Sequence, residues 1–208
     1  MISKEIYVIR HGETDHNAKG IIQGKGVNLP LNEHGKLQAD CFFRAYGDVE
    51  FDAVYTSTLL RAQQSVEQFV NRGVPHFVFS ELDEISWGDL EGKITTHETD
   101  ATFKEMLQQW REGNVSLKAS ATGESPLDLQ TRQLRFLEHL KSTPYERVLI
   151  ATHGRFIRAF MCTLTGLPLR CMDDFHHVNL CLYKGVMNSG GHFNLQLRCD
   201  TSHLSDIV

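Results

Sequence analysis

Two apolar runs constrain this chain most: "EIYVI" at 5–9 and "RVLIAT" at 147–152, both almost free of polar alternation. A strand wet on one face alternates apolar and polar side chains, so an unbroken run is a strand covered on both faces. Shorter runs, "DAVYT" at 52–56 and "HFVF" at 76–79, alternate with longer amphipathic stretches. That order predicts an α/β fold, a three-layer α/β/α sandwich with a mostly parallel central sheet.

Capping signals place the helices. One is expected from Asn32 to Gly47, one from near Thr58 to Gly73, and "ATFKEMLQQWREG" forms a third ending at Gly113. A fourth runs from about Ser125 to Lys141, with Pro126 in its first turn and Leu134, Leu137 and Leu140 on one stripe. "GRFIRAFMCTLTG" makes a fifth, closed at Gly166. The runs 178–186 and 192–199 flank "MNSGG" and predict a hairpin at the sheet edge.

At 208 residues the chain can bury a full core, and one domain over residues 1–208 is expected. Its net charge of -5 argues against a general nucleic-acid binder, which needs surplus Lys and Arg. No stretch approaches membrane-spanning length and the opening apolar run is too short for a signal peptide, so a cytoplasmic location without membrane partners is expected. Five cysteines, an odd number without C-x-x-C spacing, read as buried free thiols. Oligomeric state is left open.

The apolar runs end unusually. Residues 5–9 lead into Arg10-His11-Gly12, and residues 147–152 into His153-Gly154. Open parallel sheets bind ligands beyond the carboxyl ends of their strands. Glycine after each histidine permits close backbone approach, and a helix start offers unpaired N–H groups to an anion. Arg10 could grip two phosphate oxygens at once. In "VYTSTLLRAQQS" a strand ends and Arg61 follows one turn into a helix, aimed at the same crevice. The loop "ELDEISWGDLEG" is dense in carboxylates; Glu84 is the candidate proton donor, with Glu81, Asp83, Asp89 and Glu91 competing on composition. Each of these residues has an ordinary alternative as a satisfied histidine, a solvated arginine or an acidic surface. The pairing of two His-Gly strand ends is what favours a shared phosphate site.

Other phosphate chemistries fail on the letters. "GIIQGKG" at 20–26 lacks the glycine spacing and the Ser or Thr of a P-loop. No cysteine is followed six positions later by arginine, and no D-x-D occurs. No H-E-x-x-H or Cys/His ligand series marks a metal site, and His176 and His177 read as loop or strand-entry residues, with a place at the substrate rim as the alternative.

Taken together, these stretches resemble the histidine phosphatase superfamily, in its phosphoglycerate mutase-like branch. The resemblance runs through R-H-G-E-T with Asn17, Gln23-Gly24, "LPLNEHGKLQA", "YTSTLLRAQQS", "LDEISWGDLEG", Gly123-Glu124-Ser125 and "VLIATHGRFIRAF", in the family's order over most of the chain. It implies that His11 is the nucleophile that becomes phosphohistidine, with Arg10, Arg61 and His153 around the phosphoryl oxygens and Glu84 as acid and base. Asn17, Gln23 and the backbone at Gly24 and Gly154 align with positions near the phosphate or substrate. No cofactor or metal is implied, and the partner is a small phosphorylated substrate.

Departures from the mutases favour a phosphatase. Their proton-donor loop reads E-R-H-Y, whereas this chain has Glu84-Ile85-Ser86-Trp87, and Arg155 stands where they typically carry Asn. Mutase activity is the runner-up and a noncatalytic phospho-ligand binder the third reading. Trp87 is available as an apolar wall, and Lys25, Lys93, Arg155 and Arg158 as partners for a second acidic group.

Overall fold

Side chains alternate across the first strand so that each face finds its own core. In β1 (Lys4–Arg10), Ile6 and Val8 join one buried cluster while Tyr7 and Ile9 join another. β4 (Arg147–Thr152) divides the same way, Val148 and Ile150 against Leu149 and Ala151. Both runs are therefore interior strands, which is why they lack polar alternation. The computed structural model describes residues 2–94 and 97–207; the expected domain limits at 1 and 208 lie outside them.

The remaining elements cover the two faces. A short α1 (Asp15–Ala18) follows β1, and α2 (Glu33–Tyr46), capped by Asn32, packs Cys41 and Phe42 against one face. After β2 (Ala53–Thr56) come α3 (Leu60–Gln64) and α4 (Glu67–Asn71) on that face, then β3 (His76–Val78). Helices α5 (His97–Arg111), α6 (Pro126–Ser142) and α7 (Gly154–Thr165) contribute Trp110, Phe136, Phe156 and Phe160 to the other. The sheet closes with β5 (Leu182–Met187) and β6 (Phe193–Asp200). Its order is β3-β2-β4-β1-β5-β6, parallel from β3 to β1 and antiparallel at β5 and β6. This is the three-layer, mostly parallel α/β sandwich expected.

Several details differ from the sequence reading. The helix expected from Thr58 to Gly73 breaks at Ser65 and Val66, because the Ser65 hydroxyl donates to the Arg61 carbonyl at 2.7 Å and Val66 leaves helical geometry. In α6 the buried stripe holds Leu129, Gln133, Phe136, Leu137 and Leu140, while Leu134 is 49% exposed. Residues 178–181 do not extend β5; Leu180 takes a positive φ of 54° and its N–H donates to the Arg10 carbonyl at 3.2 Å. Cys171 and Cys199 are half-buried instead of buried.

Candidate active site

Parallel register brings the two histidines together. Arg10 stands opposite Thr152, so the next residues, His11 and His153, leave neighbouring strands at the same level. The His11 N–H donates to the Thr152 carbonyl at 2.9 Å, and the two ring centroids lie 5.1 Å apart. β2 ends beside β4 with Thr56 opposite Ala151, which delivers Ser57 and then Arg61 to the same edge.

The loop after β1 is clamped from several directions. Gly12 N–H donates to the Ser65 hydroxyl at 2.9 Å, and Glu13 N–H to Gln38 at 2.9 Å. A Cβ on Gly12 would lie 2.6 Å from the Gly35 carbonyl oxygen, so the first turn of α2 admits only glycine here. Asn179, carried in by the turn at Leu180, donates to the His11 carbonyl at 3.0 Å.

These contacts define the state of His11. Its Nδ1 lies 2.7 Å from the Gly12 carbonyl, which only accepts, so Nδ1 carries the hydrogen and Nε2 the lone pair. Arg61 donates its Nε–H to that Nε2 at 3.2 Å, while its terminal nitrogens hold the Val27 and Gly24 carbonyls. Burial, then the Arg61 and Arg10 charges, hold the His11 ring well below the ordinary histidine range. Burial and the same arginines do likewise for His153, whose Nε2 pairs with Ser57 Oγ at 2.7 Å. Arg61, fully buried, has its pKa lowered by burial to about 10.

The carboxylate of Glu84 sits on the N-terminus of α7. It accepts the Arg155 N–H at 3.1 Å and the Phe156 and Ile85 N–H groups, each at 2.9 Å. Two of these are the orphan donors of a helix start, where negative charge is favoured. Arg132 secures the loop by donating to the Glu84 carbonyl at 2.9 Å. Among the competing carboxylates, Asp83 accepts from Thr58 and Glu91 from the Trp87 and Gly26 N–H groups, while Glu84 lines the cavity.

That cavity holds about 210 Å³ and is walled by Arg10, His11, Asn17, Gln23, Glu84 and Gly154, with Ile22, Trp87, Phe103, Arg155 and His177 completing it. Arg61, His153 and Gly24 stand behind this wall; the Gly24 carbonyl holds Arg61 in place. Asn17 Oδ1 takes donors from Thr14 and Asn179, and Gln23 Nε2 donates to Thr14 Oγ1 at 2.8 Å. Gly154 leaves room for His177, whose ring would meet a Cβ there at 2.6 Å. Ser57, Ser65 and Asn179 carry no motif of their own. Their use depends on distant partners, so no local signal marks them. Among the described residues no group of three or more His, Cys, Asp or Glu is placed to hold a metal ion.

A buried imidazole whose pKa is held low, set among guanidiniums at the carboxyl edge of a parallel sheet, brings a ring-nitrogen lone pair and positive charge to one place. The sequence profile of the histidine phosphatase superfamily (branch 1) matches residues 6–201, and the chain belongs to that family. It is 31% identical over 177 residues to a candidate phosphoserine phosphatase 2 of Hydrogenobacter thermophilus, covering 85% of this chain and 86% of that protein. It is 32% identical to the 2,3-bisphosphoglycerate-dependent phosphoglycerate mutase of Bartonella quintana, covering 80% and 84%. The structure of Bacillus stearothermophilus YhfR superimposes with a TM-score of 0.84 at 29% identity, over 97% of this chain and 100% of that one. The alpha-ribazole phosphatase of Shigella flexneri does so at 0.81 and 26% identity, over 94% and 96%.

Proposed function

We propose that this protein hydrolyses a small phosphomonoester through a phosphohistidine on His11, without a metal ion. The observation that carries the reading is the disposition of the His11 ring: Nδ1–H held by the Gly12 carbonyl, Nε2 unprotonated and facing Arg61. In the first step Nε2 attacks phosphorus in line, the bond from phosphorus to the leaving oxygen breaks, and the departing alkoxide takes a proton from Glu84, which the bound phosphate dianion beside it helps to keep protonated against its three N–H donors. In the second, water attacks the phosphohistidine, its proton passes to the Glu84 carboxylate, and the P–N bond breaks to release phosphate and restore the imidazole.

Fixed positive charge takes the place of a metal here. Arg10, whose Nε is buried without a partner among the described residues, and Arg61 stabilise the equatorial oxygens. His153 pairs with Ser57 through Nε2, and its Nδ1, buried without a partner among the described residues, donates to the same oxygens in the tautomer that takes the Ser57 hydroxyl hydrogen at Nε2. Asn17, Gln23 and the Gly154 backbone orient the ester, and Gly24 acts through Arg61. The cavity volume lies below the roughly 300–1,000 Å³ of pockets for drug-sized ligands, which supports a metabolite with few atoms.

Hydrolysis is favoured over mutase chemistry because Ile85, fully buried, occupies the place of the arginine in the mutase E-R-H-Y loop. The mutase reading draws on the Bartonella relative. Rapid quenching with a ³²P-labelled ester tests the mechanism: an acid-labile, base-stable phosphoprotein should form, and His11→Ala should abolish it. Free phosphate and phosphoglycerate isomerisation measured in parallel separate the two activities. Among the described residues no helix is long and apolar enough to cross a membrane, and the cytoplasmic location in this reading is tested by cell fractionation.

A further inference from the structure

Beyond the histidine pair, the cavity wall carries positive charge that the phosphoryl group does not use. Arg155 is only 8% exposed and its guanidinium lies 5.8 Å from the ring centroid of Trp87 and 5.7 Å from that of Trp110. It donates to Asp173 Oδ1 at 2.6 Å, but that carboxylate also accepts from Arg158 at 2.5 Å and from Arg111 at 3.0 Å. One negative charge thus faces three guanidiniums. Arg158 Nε is buried without a partner among the described residues, and so is Nδ1 of His177, which shares the cavity wall with Arg155. Arg111 meets solvent, but Arg155 and Arg158 are largely buried and share that one carboxylate, so an arriving anion would complete the charge balance at Arg155.

We propose that Arg155 forms a second anion subsite, so that the alcohol portion of the substrate carries its own acidic group, a carboxylate or a second phosphate, within a few atoms of the phosphoester. The inference rests on the phosphatase reading and deepens it by naming the substrate class. Phosphate binding falls to Arg10, Arg61 and His153, whereas the Arg155 side is bounded by Trp87 and Phe103, suited to a short carbon chain between two charged ends. Burial, with Arg10, Arg158 and Arg155 nearby, lowers the His177 pKa to about 2, so that imidazole adds a neutral donor and no further charge.

Three phosphonates sharing a three-methylene spacer test the subsite by calorimetry, without need of turnover: butylphosphonate, 4-phosphonobutanoate and propane-1,3-bisphosphonate. One or both doubly acidic ligands should bind about tenfold tighter than butylphosphonate, the value of one charge-assisted contact, and which of them does so distinguishes carboxylate from phosphate. Arg155→Gln should reduce the preference to less than about twofold, and Arg155→Lys should retain most of it. Equal binding of all three, or a preference that survives Arg155→Gln, overturns the subsite. Hydrolysis of p-nitrophenyl phosphate by the same preparation is scored separately: its absence overturns the phosphatase reading, while the binding series still decides the subsite.

Discussion

Arg61 donates its Nε–H to His11 Nε2 at 3.2 Å across 50 residues of chain, and this pair determines what the imidazole can do. That hydrogen bond keeps the ring nitrogen unprotonated and occupies its lone pair, so in the proposed mechanism the guanidinium must turn to the phosphoryl oxygens before Nε2 attacks. Removing it by Arg61→Ala should lower kcat on p-nitrophenyl phosphate about 10²- to 10³-fold, the usual cost of one preorganised donor. Arg61→Lys should recover little, since an ammonium cannot hold His11, Val27 and Gly24 together. A lysine variant within tenfold of the parent would remove the pair from the mechanism.

Glu84→Gln keeps the shape of the side chain and removes the transferable proton. Turnover of an alkyl phosphate should fall roughly 10²- to 10⁴-fold, and that of an aryl phosphate less, because the aryl group departs with less protonation. Steady-state rates on the two esters check this; equal losses would assign the proton to another carboxylate.

Acid should weaken the fold through its buried imidazoles. His11 and His153 are held below their ordinary value of 6.5, chiefly by burial. Above about pH 6.5 neither the folded nor the unfolded state protonates them, so they contribute no pH dependence there. Below it the unfolded chain gains protons the folded chain refuses, and stability is lost as pH falls toward the folded values. The limiting slope is about 1.4 kcal/mol per pH unit for each ring. Denaturant titrations at about pH 7 and about pH 5.5, in phosphate-free buffer, measure it, and His153→Asn should flatten the slope by one ring's share.

Ser65 links the broken helix to the loop after β1. Ser65→Ala leaves the buried Gly12 N–H without its acceptor and should cost about 1–3 kcal/mol, read by denaturant titration. Gly12→Ala should be worse tolerated than Gly154→Ala. The first meets backbone at Gly35, whereas the second meets the movable ring of His177. Thermal melts of the two variants compare them, and a Gly12→Ala melt matching the parent would show that the α2 contact yields.

Legibility followed locality. The double-faced strands, the capped helices at Asn32 and Ser125 and the hairpin near the chain end were readable because each depends on residues within a turn or two. The helix break at Ser65 was not: Gln64 and Val66 look helical, and the competing bonds come from Arg61 and from Gly12. Leu134 misled for a related reason, since helical spacing alone does not say which of two adjacent stripes meets the sheet.

By itself, the sequence determined which residue types stand at the strand ends: two His-Gly steps, Arg10 and Arg61, and a carboxylate-rich loop, in a recognisable order. Only the tertiary structure decided that Arg10 stands opposite Thr152, that Glu84 rather than Asp83 reaches the cavity, and that the His11 hydrogen lies on Nδ1. The reason is physical. Periodicity and capping act between near neighbours, whereas register, burial and the tautomer of a ring depend on partners that meet only when distant segments pack.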